Sequence, residues 1–365
     1  MFLTVVSFLL VMSLLVFAHE LGHFLVAKRN HIVVEEFGFG YPPRVFKLGE
    51  RDGTVYSINA IPFGGFVRMR GEDDPSQPGS FAAASKLART ATLLAGATMN
   101  FILAIGLVTA MTMITGIPDT SRPGALIGGV APGSPAEQAG LRSGDLIVAA
   151  DGTALTSATA LKSYTDLHLG QPIVYRIERK AAGAGAPGTL DITIVPRVNP
   201  PPNQGALGVQ IGASYRPARV WEALGAGVSM TGEIIVMTFQ IPATLIREGR
   251  PISEAGFMGP VGIAATTGEV VRSALAVDSI LPILSFVALL SAALGITNLL
   301  PIPALDGGRL LFVFLEAIRG KRVEPAQEGL VHMVGFGMLL LLVGVITVRE
   351  IGALLNGTFP TMGLH

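Results

Sequence analysis

Apolar residues in this chain gather into four long runs separated by polar stretches of two kinds. The first run covers 2–27, carries no charge before His19 and closes on Lys28 and Arg29. The second covers 92–114 and is uncharged throughout. The third starts near Ser279 and reaches 318, and the fourth covers about 333–348. A helix needs about 20 apolar residues to cross a hydrocarbon core about 30 Å thick. The pattern predicts a multi-pass α-helical membrane protein with about four transmembrane helices, placed at 1–30, 91–116, 279–318 and 332–350, with a C-terminal tail over 351–365.

Residues 223–247 are also long and moderately apolar, but Ser229, Thr231, Glu233, Gln240 and Pro242 interrupt them. Charge favours a helix lying in the interface. If this stretch crossed, Arg319, Lys321 and Arg322 would fall on the side opposite Lys28, whereas an interfacial helix keeps these basic residues together. Segment 216–278 is therefore expected to hold an interfacial amphipathic helix and a linker. Nine Lys or Arg between 28 and 90 place that loop on the cytoplasmic side, together with the short basic loop 319–331.

The polar stretches differ in period. Runs at 33–39, 45–48, 55–61 and 66–69 are β-prone and separated by Gly, Pro and a Glu50-Arg51-Asp52-Gly53 turn, which predicts a small antiparallel sheet. Phe37, Phe39, Ile61, Phe63 and Phe66 make it greasy. A plain cytoplasmic meander and a membrane-docked sheet offering an edge to an extended peptide both fit. Residues 117–215 read as a soluble insert with strands at 125–130, 173–179, 190–195 and 207–211, a turn, a strand and a tight turn within 141–152, and helices ending at Gln138 and spanning about 159–168.

Composition agrees with the pattern: over 365 residues, 50% hydrophobic, 14% charged and a mean hydropathy of +0.56 exclude an ordinary soluble domain. Zero net charge and the lack of a basic, aromatic-interleaved stripe give no sign of nucleic-acid binding. Without cysteine, a zinc site must use His and carboxylate. No Lys or Arg precedes the first run and no small-residue cleavage site follows it, so the first helix is expected to be retained.

Candidate chemistry sits inside the first run. In His19-Glu20-Leu21-Gly22-His23, the i and i+4 imidazoles share one helix face and can hold one Zn²⁺, while Glu20 can reach a water at the metal. His19 lies about 13 Å from the basic end of its helix, below the membrane surface. Three ionisable groups at that depth cost about 2.5–3.5 kcal/mol each on insertion scales, which argues against a chance pentapeptide. Asn298-Leu299-Leu300-Pro301-Ile302-Pro303-Ala304-Leu305-Asp306-Gly307-Gly308 cannot form a regular helix, and broken backbone at depth needs protein or a cavity around it. Asp306 is the only carboxylate between Asp278 and Glu316 and is the natural third ligand, although capping of the following helix is an alternative role. Gly96-x-x-x-Asn100 suits close helix packing, and a buried Asn100 needs a partner. His31, His168, His332 and His365 have no second ligand at metal spacing, and His332 reads as interfacial.

These residues resemble the site-2 family of intramembrane zinc metalloproteases, in its bacterial regulator-of-sigma-E type. The match rests on residues 19–23, Pro62-Phe63-Gly64-Gly65-Phe66-Val67-Arg68-Met69, Gly96-x-x-x-Asn100, Gly259-Pro260-Val261-Gly262-Ile263-Ala264 and the 298–308 segment, in order. Gly140-x-x-x-Gly144-Asp145-x-Ile147 before an Asp151-Gly152 turn is similar to a circularly permuted PDZ domain, here single and extracytoplasmic. The resemblance implies one Zn²⁺ on His19, His23 and Asp306, with Glu20 catalytic. It also implies substrate contacts at Asn298, Pro301 and Pro303, and it points to Gly64, Gly65 and Asn100. The expected setting is the bacterial cytoplasmic membrane, with the active site towards the cytoplasm. The expected partners are lipid, a peptide or chain end on the PDZ domain, and single-span proteins, anti-sigma-factor-like or signal-peptide remnants, cut after a first ectodomain cleavage. The alternative, a non-catalytic scaffold recruiting partners through the PDZ domain, does not need the set His19, Glu20, His23 and Asp306. No inverted repeat supports a transporter.

Overall fold

The computed structural model describes residues 2–356 apart from 73, 120, 122, 180–187, 203, 213 and 251–257. Residues 357–365 of the expected tail lie outside the described residues. The chain divides into two compact units, one formed by 1–113 with 219–365 and the other by 114–218.

The first unit is built on helices. Helix α1 (Phe2–Arg29) follows the uninterrupted apolar run, and Lys28 and Arg29 in its last turn complement the negative end of the helix dipole. Strands β1 (Val34–Arg51) and β2 (Thr54–Met69) form one long antiparallel hairpin around Asp52 and Gly53, both at positive φ. That pair of left-handed residues matches the twist of the flanking strands. The four short runs expected from sequence are thus two long strands, and repeated register shifts absorb the Gly and Pro positions that looked like breaks.

Helices α2 (Lys86–Thr115), α5 (Val220–Arg247), α6 (Pro260–Ala276), α7 (Leu281–Leu299), α8 (Asp306–Arg319) and α9 (Pro325–Leu355) complete this unit. Val11 and Leu15 of α1 pack with Val287 of α7 and with Leu103 and Leu107 of α2. A second cluster joins Ala27, Val34, Met69, Leu93 and Val313, tying the hairpin base to α1, α2 and α8.

Three expectations change. Among the described residues, five helices are long and apolar enough to cross a membrane, not four, the additional one being α5. Pro242 does not stop α5, and its polar residues do not force it out of the bundle: Thr231 is buried, Thr238 bonds the Ile234 carbonyl at 2.8 Å, and a side chain at Gly227 would overlap the Ile105 carbonyl of α2. The expected third span is two helices, α7 and α8, joined by a turn over 300–305. Gly307 and Gly308 let α8 start against the Leu299, Leu300 and Ile302 carbonyls, where any Cβ would collide. The basic loop is shorter than 319–331, because Pro325 opens α9 as its first residue.

The second unit has its own core. Its sheet runs in the order β8 (Gly188–Ile194), β7 (Ile173–Arg179), β5 (Leu146–Ala150), β4 (Ala125–Val130), β9 (Val209–Gly212), with β6 (Thr153–Ala154) beside β5. Strict alternation in β7 buries Ile173, Tyr175 and Ile177 against Ile127, Ile147 and Leu161. Ser134 and Ser157 cap α3 (Pro135–Gln138) and α4 (Ala158–Leu167). Arg179 clamps the buried Asp145 with two bonds of 2.7 Å. Strands β3 (Ile117–Pro118) and β10 (Tyr215–Arg216) pair where the chain enters and leaves this unit.

Candidate metal centre

The helical spacing of His19 and His23 does what it promises locally: both rings project from one face of α1, with their Nε2 atoms 3.0 Å apart. Asp306, in the first turn of α8, brings Oδ2 to 3.1 Å from His19 Nε2 and 3.2 Å from His23 Nε2. These three side chains are the group among the described residues whose donor atoms converge closely enough to hold an ion.

The surrounding bonds fix where the protons are. His23 Nδ1 lies 2.7 Å from the Thr92 carbonyl, which can only accept, so Nδ1 carries the proton and Nε2 keeps its lone pair. His19 Nδ1 lies 3.2 Å from the Asn100 amide, whose Oδ1 is buried without a hydrogen-bond partner. The contacting atom is Asn100 Nδ2; with the amide turned, Oδ1 accepts the His19 Nδ1–H, Nδ2 takes the place of the unpartnered Oδ1, and His19 Nε2 is also free to ligate. Asp306 Oδ2 is buried with no hydrogen-bond donor. Three mutually repelling lone pairs therefore point at one place, an arrangement that a cation stabilises. Their separations are close to the edge, about 3.3 Å, of a tetrahedron built on bonds of about 2.0–2.1 Å. Two imidazoles and a carboxylate without thiolate fit zinc and leave a fourth position open.

Packing makes this convergence possible. A Cβ at Gly96 would overlap ring nitrogens of both His19 and His23, and one at Gly22 would run into the Ala95 carbonyl. Glycine on each helix lets α1 and α2 approach until the rings meet the α2 backbone. Gly96 is thus explained by the site and not by packing alone. Asn100 is fully buried behind His19, and its own carbonyl accepts a 2.8 Å bond from Ser291 of α7. Its amide backs the His19 ring.

Glu20 turns towards the hairpin, where its Oε2 accepts the Val67 N–H at 3.1 Å. It faces a cavity of about 360 Å³ that also takes in the three metal-site residues, Asn298, Val67 and Tyr41. Asn298 donates to the Leu294 carbonyl at 3.0 Å and lies at the cavity wall. The other candidates stand elsewhere. Gly64, at φ +70°, and Gly65 seat β2 against Val16 and Phe17 of α1, with Ser13 bonding both Pro62 O and Gly64 N. Pro301 is exposed in the turn before α8, and Pro303 packs on α9 at Gly335.

Sequence reasoning missed three contributors. Thr92 and Val67 act through backbone atoms, which no residue type announces. His332, read as interfacial, accepts the Ala304 N–H at 2.9 Å beside the turn that carries Asp306. Its one visible signal is a polar ring in an apolar span.

Residues 7–342 match peptidase family M50. A protein of Rhizobium meliloti described as a putative zinc metalloprotease is 32% identical, over 93% of this chain and 94% of its own length. The zinc metalloprotease RasP of Geobacillus kaustophilus is 30% identical over 95% of this chain and 97% of its own. The regulator of sigma-W protease RasP of Bacillus subtilis is 28% identical over 95% and 98%. With a match across nearly its whole length, this chain belongs to peptidase family M50.

Proposed function

We propose that this enzyme hydrolyses peptide bonds within or near the transmembrane segment of single-span membrane proteins, with His19, His23 and Asp306 holding one zinc ion and Glu20 as the general base. That it is a membrane-embedded zinc metalloprotease follows from its family and its relatives. The observation that carries the residue assignment is the meeting of three uncapped lone pairs beside a carboxylate, in a cavity between apolar helices.

Zinc bound there supplies Lewis acidity towards water and the scissile carbonyl. Glu20 takes the proton of the attacking water and returns it to the leaving amine nitrogen. Its Oε2 is steadied by the Val67 N–H, leaving Oε1 to accept. The Thr92 carbonyl and Asn100 orient the two imidazoles. A helical substrate must unwind to expose its peptide bond, and Val67, Met69 and Asn298 at the cavity wall are suited to an extended strand.

The 114–218 unit resembles a single circularly permuted PDZ domain and is read as a peptide or chain-end binder on the extracytoplasmic side. A cavity of about 590 Å³ lies between α4 and the terminal strand β9, and Leu161, Leu207, Val209 and Ile211 line it. Anti-sigma-factor-like proteins and signal-peptide remnants, already shortened by a first cut, are the proposed substrates.

The test is Glu20→Gln in the intact enzyme. It should retain one zinc per chain while hydrolysis falls at least about 100-fold and membrane stubs accumulate. Undiminished cleavage would remove Glu20 from the mechanism.

A further inference from the structure

Pro301 and Pro303 have no N–H to give, so the Ala304 N–H is the first backbone donor after Pro303 in the turn that delivers Asp306. Ala304 sits at φ +78°, a left-handed conformation unfavourable for a residue that carries a Cβ. Such a residue persists only when its surroundings hold it there. The turn's own bonds join Ile302 N to Leu300 O, Leu305 N to Ile302 O and Gly308 N to Leu305 O. None uses the Ala304 N–H. Its acceptor is Nδ1 of His332 on α9, 28 residues away and 2.9 Å distant.

We propose that His332 is a positioning residue for the metal centre: its Nδ1 lone pair fixes the Ala304 N–H and, through the turn, the carboxylate of Asp306. One residue separates Ala304 from Asp306, so a shift of the first is passed to the second. The ring is steadied by Phe312 of α8, with centroids 5.4 Å apart. One helical turn further along α9, a Cβ at Gly335 would overlap the Pro303 ring. Positions 332 and 335 thus hold two consecutive turn residues, one by a hydrogen bond and one by close packing. The role requires an acceptor at the Nδ1 position; mere bulk or polarity does not suffice.

This inference rests on Asp306 being a zinc ligand, and four variants of the full-length enzyme in detergent separate the two claims. Zinc retention is read by competition with a chromophoric chelator, and ligand geometry by the visible spectrum of the Co²⁺ form. In His332→Asn, Oδ1 replaces Nδ1, whereas in His332→Gln the carbonyl falls near the former Nε2. The Asn variant should hold zinc within about threefold of the unaltered enzyme, while Gln and Ala should lose about tenfold or more and change the Co²⁺ spectrum. If Ala fails to fold, the Asn and Gln pair, both close to histidine in bulk, carries the comparison. Unchanged zinc affinity and spectrum in Gln, or an Asn variant as weak as Gln, would overturn the role of His332. Asp306→Ala is the control. If it keeps zinc, the ligand assignment falls. If it loses zinc while Gln does not, only the positioning role falls.

Discussion

Gly96 sets how closely α2 can approach the two imidazoles of α1. Alanine there adds a methyl where ring nitrogens of His19 and His23 already sit. Overpacking of this kind costs about 1–3 kcal/mol, and the rings are the atoms that must yield. Gly96→Ala should therefore weaken zinc binding about tenfold or more while leaving the helical content unchanged, as checked by metal titration alongside circular dichroism. Retained affinity would show that α2 can withdraw without moving the ligands. His19, Glu20 and His23 were legible as chemistry because their spacing is local. The groups that fix the ring protons were not, because one is the backbone carbonyl of Thr92, 69 residues from His23, and the other is an amide that sequence could place only in a helix interface.

At the scale of elements, the hairpin of β1 and β2 is the wall that steadies Glu20. Its base is held by Glu36, buried between Arg44 at 2.7–2.8 Å and Arg68 at 2.9 Å. The Arg44 hydrogen bonds hold the Glu36 carboxyl below its ordinary value of 4.5 against the opposing effect of burial. A carboxyl depressed on folding contributes stability in full above its unfolded value and loses it as pH falls through the folded one. Amide protection factors in β1 and β2, taken relative to the intrinsic exchange rate at each pH, should thus fall below about pH 4.5, and Glu36→Gln should remove that acid dependence. An unchanged pH profile in the variant would assign the acid lability to another group. The hairpin turn was visible in Asp52-Gly53, but the merging of four runs into two strands was not, since register shifts cost little and leave no residue signature. Helix α5 shows the converse: its polar residues suggested an interface, and small contacts such as Gly227 on Ile105 admit it beside α2.

For the molecule as a whole, His19, His23, Asp306, Glu20 and the other residues lining their 360 Å³ cavity belong to the unit formed by 1–113 and 219–365. The 114–218 unit has a separate core, and its entry and exit strands pair at Ile117 with Arg216 and Pro118 with Tyr215. Replacing 119–214 by a short flexible linker should therefore leave one zinc per chain, as measured by elemental analysis of the purified membrane protein. Loss of zinc would show that the metal centre depends on the insert.

By itself the sequence determined the multi-pass class, the paired histidines on one helix face, the neighbouring Glu20, the carboxylate on a broken span and the five longer strands of the insert. All of these follow from short-range periodicity and from the cost of burying charge. Only the tertiary structure decided which backbone carbonyl orients His23, which N–H steadies Glu20, why Gly96 cannot carry a side chain and that His332 of α9 reaches the turn before Asp306. Those contacts join positions far apart in the chain, and most of them end on backbone atoms or on the absence of a Cβ, so the residue alphabet carries almost no record of them.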